Sequence, residues 1–146
     1  MAAFKGERTF EVDVPIEHMY DVISDYERYP QFVSDVAETR AKPGQGDTAE
    51  VSYVLAVARR IGYTVRCTHQ RPHRVDWDLV KGTMMKKNTG YWILEPMGEA
   101  RTRVTYMCEL DLGMLVPKRV ARTLVTVSMP KMLEEFKQRA EALYKG

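Results

Sequence analysis

The chain has 146 residues, 45% of them apolar and 29% charged, with a formal net charge of +2. That length suits one domain with one sizeable core, and the composition excludes a disordered chain. The balanced charge gives no whole-molecule attraction to nucleic acid, and no apolar run approaches the roughly 20 residues that a bilayer-spanning helix needs.

The first stretch, around Lys5, Glu7 and Arg8, has no apolar segment of the kind that opens a secretory leader, so the expected compartment is the cytoplasm. Residues Lys5 to Val14 alternate, with Phe10, Val12 and Val14 on one face, and predict a half-buried strand. Pro15 ends it and opens a short helix over Ile16 to Ser24, where Met19, Tyr20, Val22 and Ile23 recur at helical spacing. A second helical turn follows over Asp25 to Phe32, broken at Pro30.

From Val33 to Leu112 the pattern is that of strands: Val33 to Ala41, Ala49 to Val57, Ile61 to Gln70, Arg74 to Val80, Asn88 to Pro96 and Arg103 to Leu112. The connections are short and rich in Gly, Pro and Asn or Asp, which implies an antiparallel meander with one wet face. The last stretch, Val116 to Tyr144, is helical and spans roughly 40 Å at 1.5 Å per residue. One apolar stripe is Val120, Leu124 and Val127, another is Leu133, Phe136, Ala140 and Leu143, and Pro130 between them predicts a kink. Residues 1–146 thus read as one α+β domain: a curved antiparallel sheet of about seven strands over a long C-terminal helix, with two short helices after the first strand.

A twisted sheet of that size curls, and one helix laid in its concavity leaves space unless the side chains are large. The inward parity carries Tyr53, Leu55, Tyr63, Val65, Cys67, Trp77, Leu79, Trp92, Leu94, Tyr106 and Cys108. From the helix, Val120, Leu124 and Phe136 face them. These fourteen residues are the candidate lining of a cavity for an apolar small molecule. Buried tyrosines need partners for their hydroxyls, so several of them together imply internal networks, water or a ligand with polar groups.

Reactive constellations are weak. His18 falls among polar neighbours on the first helix and is expected to face solvent, and His73 lies in a turn. Cys67 and His69 share a strand face but no second pair completes a metal site, so no metal and no cofactor are expected. Asp76 and Asp78 point away from Trp77, as do Glu109 and Asp111 from the inward face. Cys67 and Cys108 fall three strands apart, roughly 14 Å at ~4.8 Å per strand, too far to bridge. No set of residues declares a reaction, so catalytic residues are left unassigned.

Three segments also carry a family resemblance. Met19-Tyr20-Asp21-Val22-Ile23-Ser24-Asp25-Tyr26-Glu27-Arg28-Tyr29-Pro30-Gln31-Phe32-Val33 resembles the signature of the polyketide cyclase/dehydrase and coenzyme Q-binding proteins of the START-like (SRPBCC) superfamily. Val80-Lys81-Gly82-Thr83-Met84 with Tyr91-Trp92-Ile93-Leu94-Glu95-Pro96 is similar to their paired strands, with Thr83-Met84 where the family often has Pro-Phe. Phe136 to Ala140 with Tyr144 is similar to the close of their last helix. The resemblance implies the helix-grip fold and an apolar tunnel. The functions it implies are carriage of a quinone, lipid or polyketide-like molecule, cyclase or dehydratase chemistry through pocket shape and tyrosine hydrogen bonds, or ribosome association. For cyclase chemistry, Tyr53, Tyr63 and Tyr106 are the candidate hydrogen-bond donors, whereas Arg66 has the wrong parity to join them.

Strand alternation places Ala58 to Arg60, the loop Lys81 to Lys87 and the segment Gly113 to Arg119 at one end of the sheet. Arg59, Arg60, Lys81, Lys86, Lys87, Lys118 and Arg119 make that end basic, and Met84, Met85, Met114, Leu115 and Val116 give it apolar tips. This end is the expected cavity mouth. It is also a candidate docking rim for an anionic membrane, at about 1 kcal/mol per basic residue near the surface. Contact at the inner face of the membrane is one expectation, and ribosomal RNA is the second partner class for the same rim.

Overall fold

The computed structural model describes residues 4–57 and 59–145. Its elements run β1 (Phe4–Val12), α1 (Ile16–Ser24), a 3-10 turn (Tyr26–Gln31), β2 (Val36–Pro43), β3 (Thr48–Val57), β4 (Arg59–Gln70), β5 (Arg74–Gly82), β6 (Lys87–Pro96) and β7 (Thr102–Asp111). A helical stretch of 28 residues closes the chain: α2 (Lys118–Thr123), a π turn (Leu124–Ser128) and α3 (Met129–Lys145). The strands form one antiparallel sheet in the order β1-β7-β6-β5-β4-β3-β2. β1 pairs with β7, so consecutive strands β1 and β2 end on opposite edges, and α1 with the 3-10 turn carries the chain between them.

The sheet is the expected seven-stranded one, with the long helix in its concavity. The segment from Val33 to Asp35 is not strand: the Val33 N–H bonds to the Tyr29 carbonyl at 2.8 Å and the Val36 N–H to the Val33 carbonyl at 3.1 Å. β2 therefore starts only at Val36. Of the turn expected at Ala58-Arg59-Arg60, Ala58 lies outside the described residues, and Arg59 and Arg60 already pair with Val57 and Ala56.

Two irregularities shape the interior. In β5, Tyr63 stands opposite Gly82 and Val65 opposite Leu79, which leaves Val80 as the extra residue of a bulge. β5 pairs with β6 only from Arg74 to Trp77, so beyond Trp77 the two strands separate. In the helix, the break expected at Pro130 is taken up one turn earlier by the π turn. A proline removes an i→i−4 hydrogen bond and crowds the preceding turn, and a widened turn accommodates both. The extra residue also rotates the helix. Val127 and Leu143, expected inside, are 59% and 50% exposed, while Val125 and Met129 turn inward and Leu133, Phe136 and Ala140 are buried as expected.

The helix approaches the sheet closely at one place. A Cβ on Gly6 of β1 would lie 2.7 Å from Val125 and 2.8 Å from Met129. At its other end α3 packs against α1, where the His18 ring bonds the Ala140 carbonyl at 2.9 Å. His18 is thus half-buried at a helix–helix contact rather than facing solvent. Pinned at β1 and α1, the helix leaves an opening over β3, β4 and β5.

Candidate functional site

That opening is a cavity of about 130 Å³. Eleven of the fourteen expected lining residues surround it: Tyr53, Leu55, Tyr63, Val65, Cys67, Trp77, Trp92, Tyr106, Cys108, Leu124 and Phe136. Three do not. Leu79 points to the same face but is carried away where β5 leaves β6. Leu94 is buried on the part of β6 that α1 covers. Val120 is buried in the first turn of α2, before the helix reaches the cavity.

The structure adds wall residues that alternation did not find. Tyr26 and Tyr29 come from the 3-10 turn, Met129 and Met132 from α3, and Asn88 and Met85 fill the gap left by the splayed strands. Met85 is only 5% exposed, so it is not the surface tip expected of it. Val116, expected at the same surface, is also buried. The helical spacing of Met129, Met132 and Phe136 was a readable signal. The inward turn of Met85 was not, because it depends on the parting of β5 from β6 beyond Trp77.

The wall is mainly aromatic. Trp92 meets Tyr106 at a ring distance of 4.7 Å and Phe136 at 5.0 Å, Phe136 meets Tyr29 at 5.0 Å, and Tyr53 stacks on Tyr63 at 5.1 Å. Polar atoms are few and placed. The Trp77 indole N–H donates to Asn88 Oδ1 at 2.9 Å. Tyr29 donates its hydroxyl proton to the Ile23 carbonyl, and the Tyr26 hydroxyl meets His69 Nε2 at 2.7 Å. The short hydrogen bonds among the described residues do not use the hydroxyls of Tyr53, Tyr63 and Tyr106, although no fully buried side-chain oxygen or nitrogen lacks a partner. Each has a hydrogen-bonding side chain beside it, Tyr29 for Tyr53, Asn88 for Tyr63 and the Cys108 thiol for Tyr106, and all three tyrosines line the cavity.

Burial raises the pKa of Tyr26, Tyr29, Tyr53, Tyr63 and Tyr106 above that of a free phenol, so all five stay protonated. Burial also pushes the free thiols of Cys67 and Cys108 up to about 11. Among the described residues no Lys, Arg or His lines the cavity, and the one charged side chain there is Asp35, at the rim, bonded to Lys131 at 3.0 Å. Arg66 lies on the outer face with Glu50 at 3.2 Å. Asp76 and Asp78 are outside as well, on Arg74 and Thr89. No group of three or more metal-ligating side chains occurs among the described residues.

Of the half-exposed lining residues, Asp35, Leu55, Ser128 and Met132 lie between the middle of the helix and the β2–β3 edge, where the cavity opens. Val36 pairs with Leu55 and Arg59 with Val57, so this is the basic end of the sheet, though not directly under the helix start. At the rim Arg60 pairs with Glu38 at 2.7 Å and Lys87 with Glu109 at 3.2 Å. Met84 is half-buried beside Arg59, whose guanidinium is 4.0 Å from its sulfur. Lys86, Lys118 and Arg119 are exposed, and Met114 and Leu115 beside them are 93% and 89% exposed. No described helix is long and apolar enough to cross a membrane.

Residues 12–137 match the family model described as polyketide cyclase / dehydrase and lipid transport. A START superfamily protein from Mycobacterium smegmatis superposes with a TM-score of 0.82 at 17% identity, covering 95% of this chain and 98% of that one. The Zhui aromatase/cyclase from Streptomyces sp. R1128 gives 0.81 at 16% identity over 95% and 94%. A STAR-related lipid transfer protein from Xanthomonas axonopodis gives 0.75 at 16% identity over 94% and 85%. The search of curated proteins finds no match.

Proposed function

Because the chain belongs to the polyketide cyclase/dehydrase and lipid transport family, we propose that it binds a neutral, ring-containing, oxygen-bearing apolar molecule, quinone-like or polyketide-like, in the cavity under its helix. One observation carries this reading: the wall offers tyrosine hydroxyls and aromatic faces but no cation. A carboxylate or phosphate buried there would be unpaired, since the Lys131 ammonium at the rim is already engaged by Asp35, a cost of several kcal/mol. A carbonyl oxygen can accept directly from Tyr53, Tyr63 or Tyr106. A cavity of about 130 Å³ takes one ring as it stands. A larger ligand requires the flexible side chains of Met85, Met129 and Met132 to move aside.

The chain's two tryptophans, Trp77 and Trp92, both line the cavity, so a bound quinone should quench the protein's tryptophan emission. Titration with menadione is expected to quench saturably, and palmitate is expected not to compete. Native mass spectrometry with organic extraction should show a neutral compound carried through purification. Saturable binding of palmitate with no response to menadione would overturn the reading.

A separate feature supports membrane contact during loading. Met114 and Leu115 project from the chain beside Lys86, Lys118 and Arg119, none of which forms an ion pair with a described residue. Apolar tips within a basic ring suit insertion at an anionic lipid surface. Co-sedimentation with phosphatidylglycerol vesicles should fall in Leu115→Ser and in Lys86→Glu/Lys118→Glu. Binding unchanged by either variant, or salt-dependent binding to ribosomal RNA that outcompetes the vesicles, would remove this part.

A further inference from the structure

Three tyrosines of the cavity, Tyr53, Tyr63 and Tyr106, present hydroxyl groups with no fixed chemical direction, but Tyr26 does not belong with them. Its partner, His69, is held from behind: the His69 ring Nδ1 lies 2.9 Å from the backbone carbonyl of Asp47, and the same carbonyl accepts the His69 backbone N–H at 2.8 Å. A carbonyl oxygen can only accept, so Nδ1 carries the imidazole proton. In the neutral imidazole Nε2 then has a lone pair, and at 2.7 Å it accepts a hydrogen bond from the Tyr26 hydroxyl. The Tyr26 proton is thereby committed to His69, and its oxygen, with the Cys67 thiol beside it, keeps a lone pair for the cavity side.

The pair also joins two environments. Tyr26 is 6% exposed and lines the cavity, whereas His69 is half-buried and lies on the outer side of Tyr26. The His69 ring is packed between Tyr26 and Tyr20 at 5.9 and 6.5 Å. Arg71, two residues on, is occupied above the Tyr20 ring and paired with Asp21. A proton can therefore pass from the interior to an imidazole that reaches solvent, through one hydroxyl.

We propose that Tyr26 and His69 form a proton relay that gives this chain an acid–base activity toward a neutral, enolisable ketone bound in the cavity. The inference rests on the ligand reading above. In the step, the ketone's α C–H bond breaks and its proton goes to Tyr26 Oη. The electron pair of that bond stays on the substrate as an enolate, whose oxygen accepts from the Tyr53 hydroxyl. The original Tyr26 hydroxyl proton moves to His69 Nε2, leaving an imidazolium with both ring nitrogens protonated. Reversal of both transfers returns the ketone. While the enolate is held, the Tyr26 hydroxyl exchanges with solvent, so in D2O the ketone leaves with deuterium at the α carbon. Tyr26 is the catalytic residue and His69 the positioning residue that acts through it.

Cyclohexanone is a suitable probe, since a dry cavity of roughly 150 Å³ accepts a six-membered ring. Binding is read by saturation transfer from protein to ketone, and turnover by loss of the α-proton signal in D2O. The unaltered protein should exchange the α protons at least ~100-fold faster than Tyr26→Phe, the range expected of a positioned acid–base group. His69→Gln should lose exchange while keeping the saturation-transfer signal, a separation that a merely structural bond would not produce. Nitrogen-15 NMR of the ligand-free protein should show His69 protonated at Nδ1. A ketone that binds but exchanges no faster than in Tyr26→Phe overturns the relay, and so does a His69 protonated at Nε2, which needs no variant to fold. A ketone that does not bind at all overturns the ligand reading, and with it the activity.

Discussion

Gly90 lies on β6 directly beneath Trp77, and a Cβ there would overlap both the Met107 carbonyl and the Trp77 six-membered ring. Only a residue without a side chain lets the indole lie flat on the strand and reach Asn88. Gly90→Ala should therefore lower stability by about 1–3 kcal/mol in urea unfolding, as overpacking does. It should also shift the emission of Trp77. Asn88→Leu removes the acceptor of the Trp77 N–H at little change in volume, and should cost about 1–3 kcal/mol in the same assay.

The two thiols give a pH dependence with a definite sign. Each has its pKa raised by burial from 9.0 to about 11. The folded state thus disfavours the thiolate. Its contribution to stability is complete below about pH 9 and is lost as pH rises to about 11. Urea midpoints measured at pH 7, 9 and 11 should fall across the upper interval, and less so in Cys67→Ala/Cys108→Ala. At this scale the strand residues of the cavity were legible, because alternation in β3, β4, β6 and β7 puts Tyr53, Tyr63, Trp92 and Tyr106 on one face. The relay was not: Tyr26 and His69 are 43 residues apart, and only the fold brings them to 2.7 Å.

Among the elements, the C-terminal helix decides where the cavity is. Phe136 is fully buried and joins the ring contacts of Trp92, Tyr29 and Phe32, so Phe136→Ala should cost about 3–5 kcal/mol and enlarge the cavity. Equilibrium unfolding measures the first effect and increased uptake of a two-ring quinone the second. Gly6 sets the opposite constraint. Gly6→Val would push Val125 and Met129 off β1, and should destabilise by about 1–3 kcal/mol while opening the helix–sheet angle. The helix itself was readable from its periodicity. Its facing was not, since the π turn adds a residue of rotation that turns Val127 outward and Met129 inward.

For the molecule as a whole, a ligand that binds only the folded state must stabilise it. Menadione at 100 times its dissociation constant should add about 2.7 kcal/mol to unfolding stability and raise Tm with concentration. Palmitate should not, because the cavity has no cation to meet its carboxylate. The distribution of surface features also belongs at this scale. The exposed Met114 and Leu115 lie at the helix start, whereas the half-exposed cavity rim lies along the helix middle near Asp35 and Met132. Docking and entry are therefore neighbouring but separable surfaces.

The order of strands and helices, the antiparallel sheet and the side of each strand that carries the aromatic residues were determined by the sequence itself. These follow from local periodicity and turn chemistry, which act over a few residues. Which inward residues face open space was decided only by the tertiary structure. Leu79 is lost to the cavity because β5 leaves β6 beyond Trp77, and Met85 fills the space between the parted strands. A cavity is a mismatch between two surfaces. Its shape depends on how closely the helix approaches at Gly6 and how far it stands from β3 to β5, and no alternation along a single strand encodes that distance.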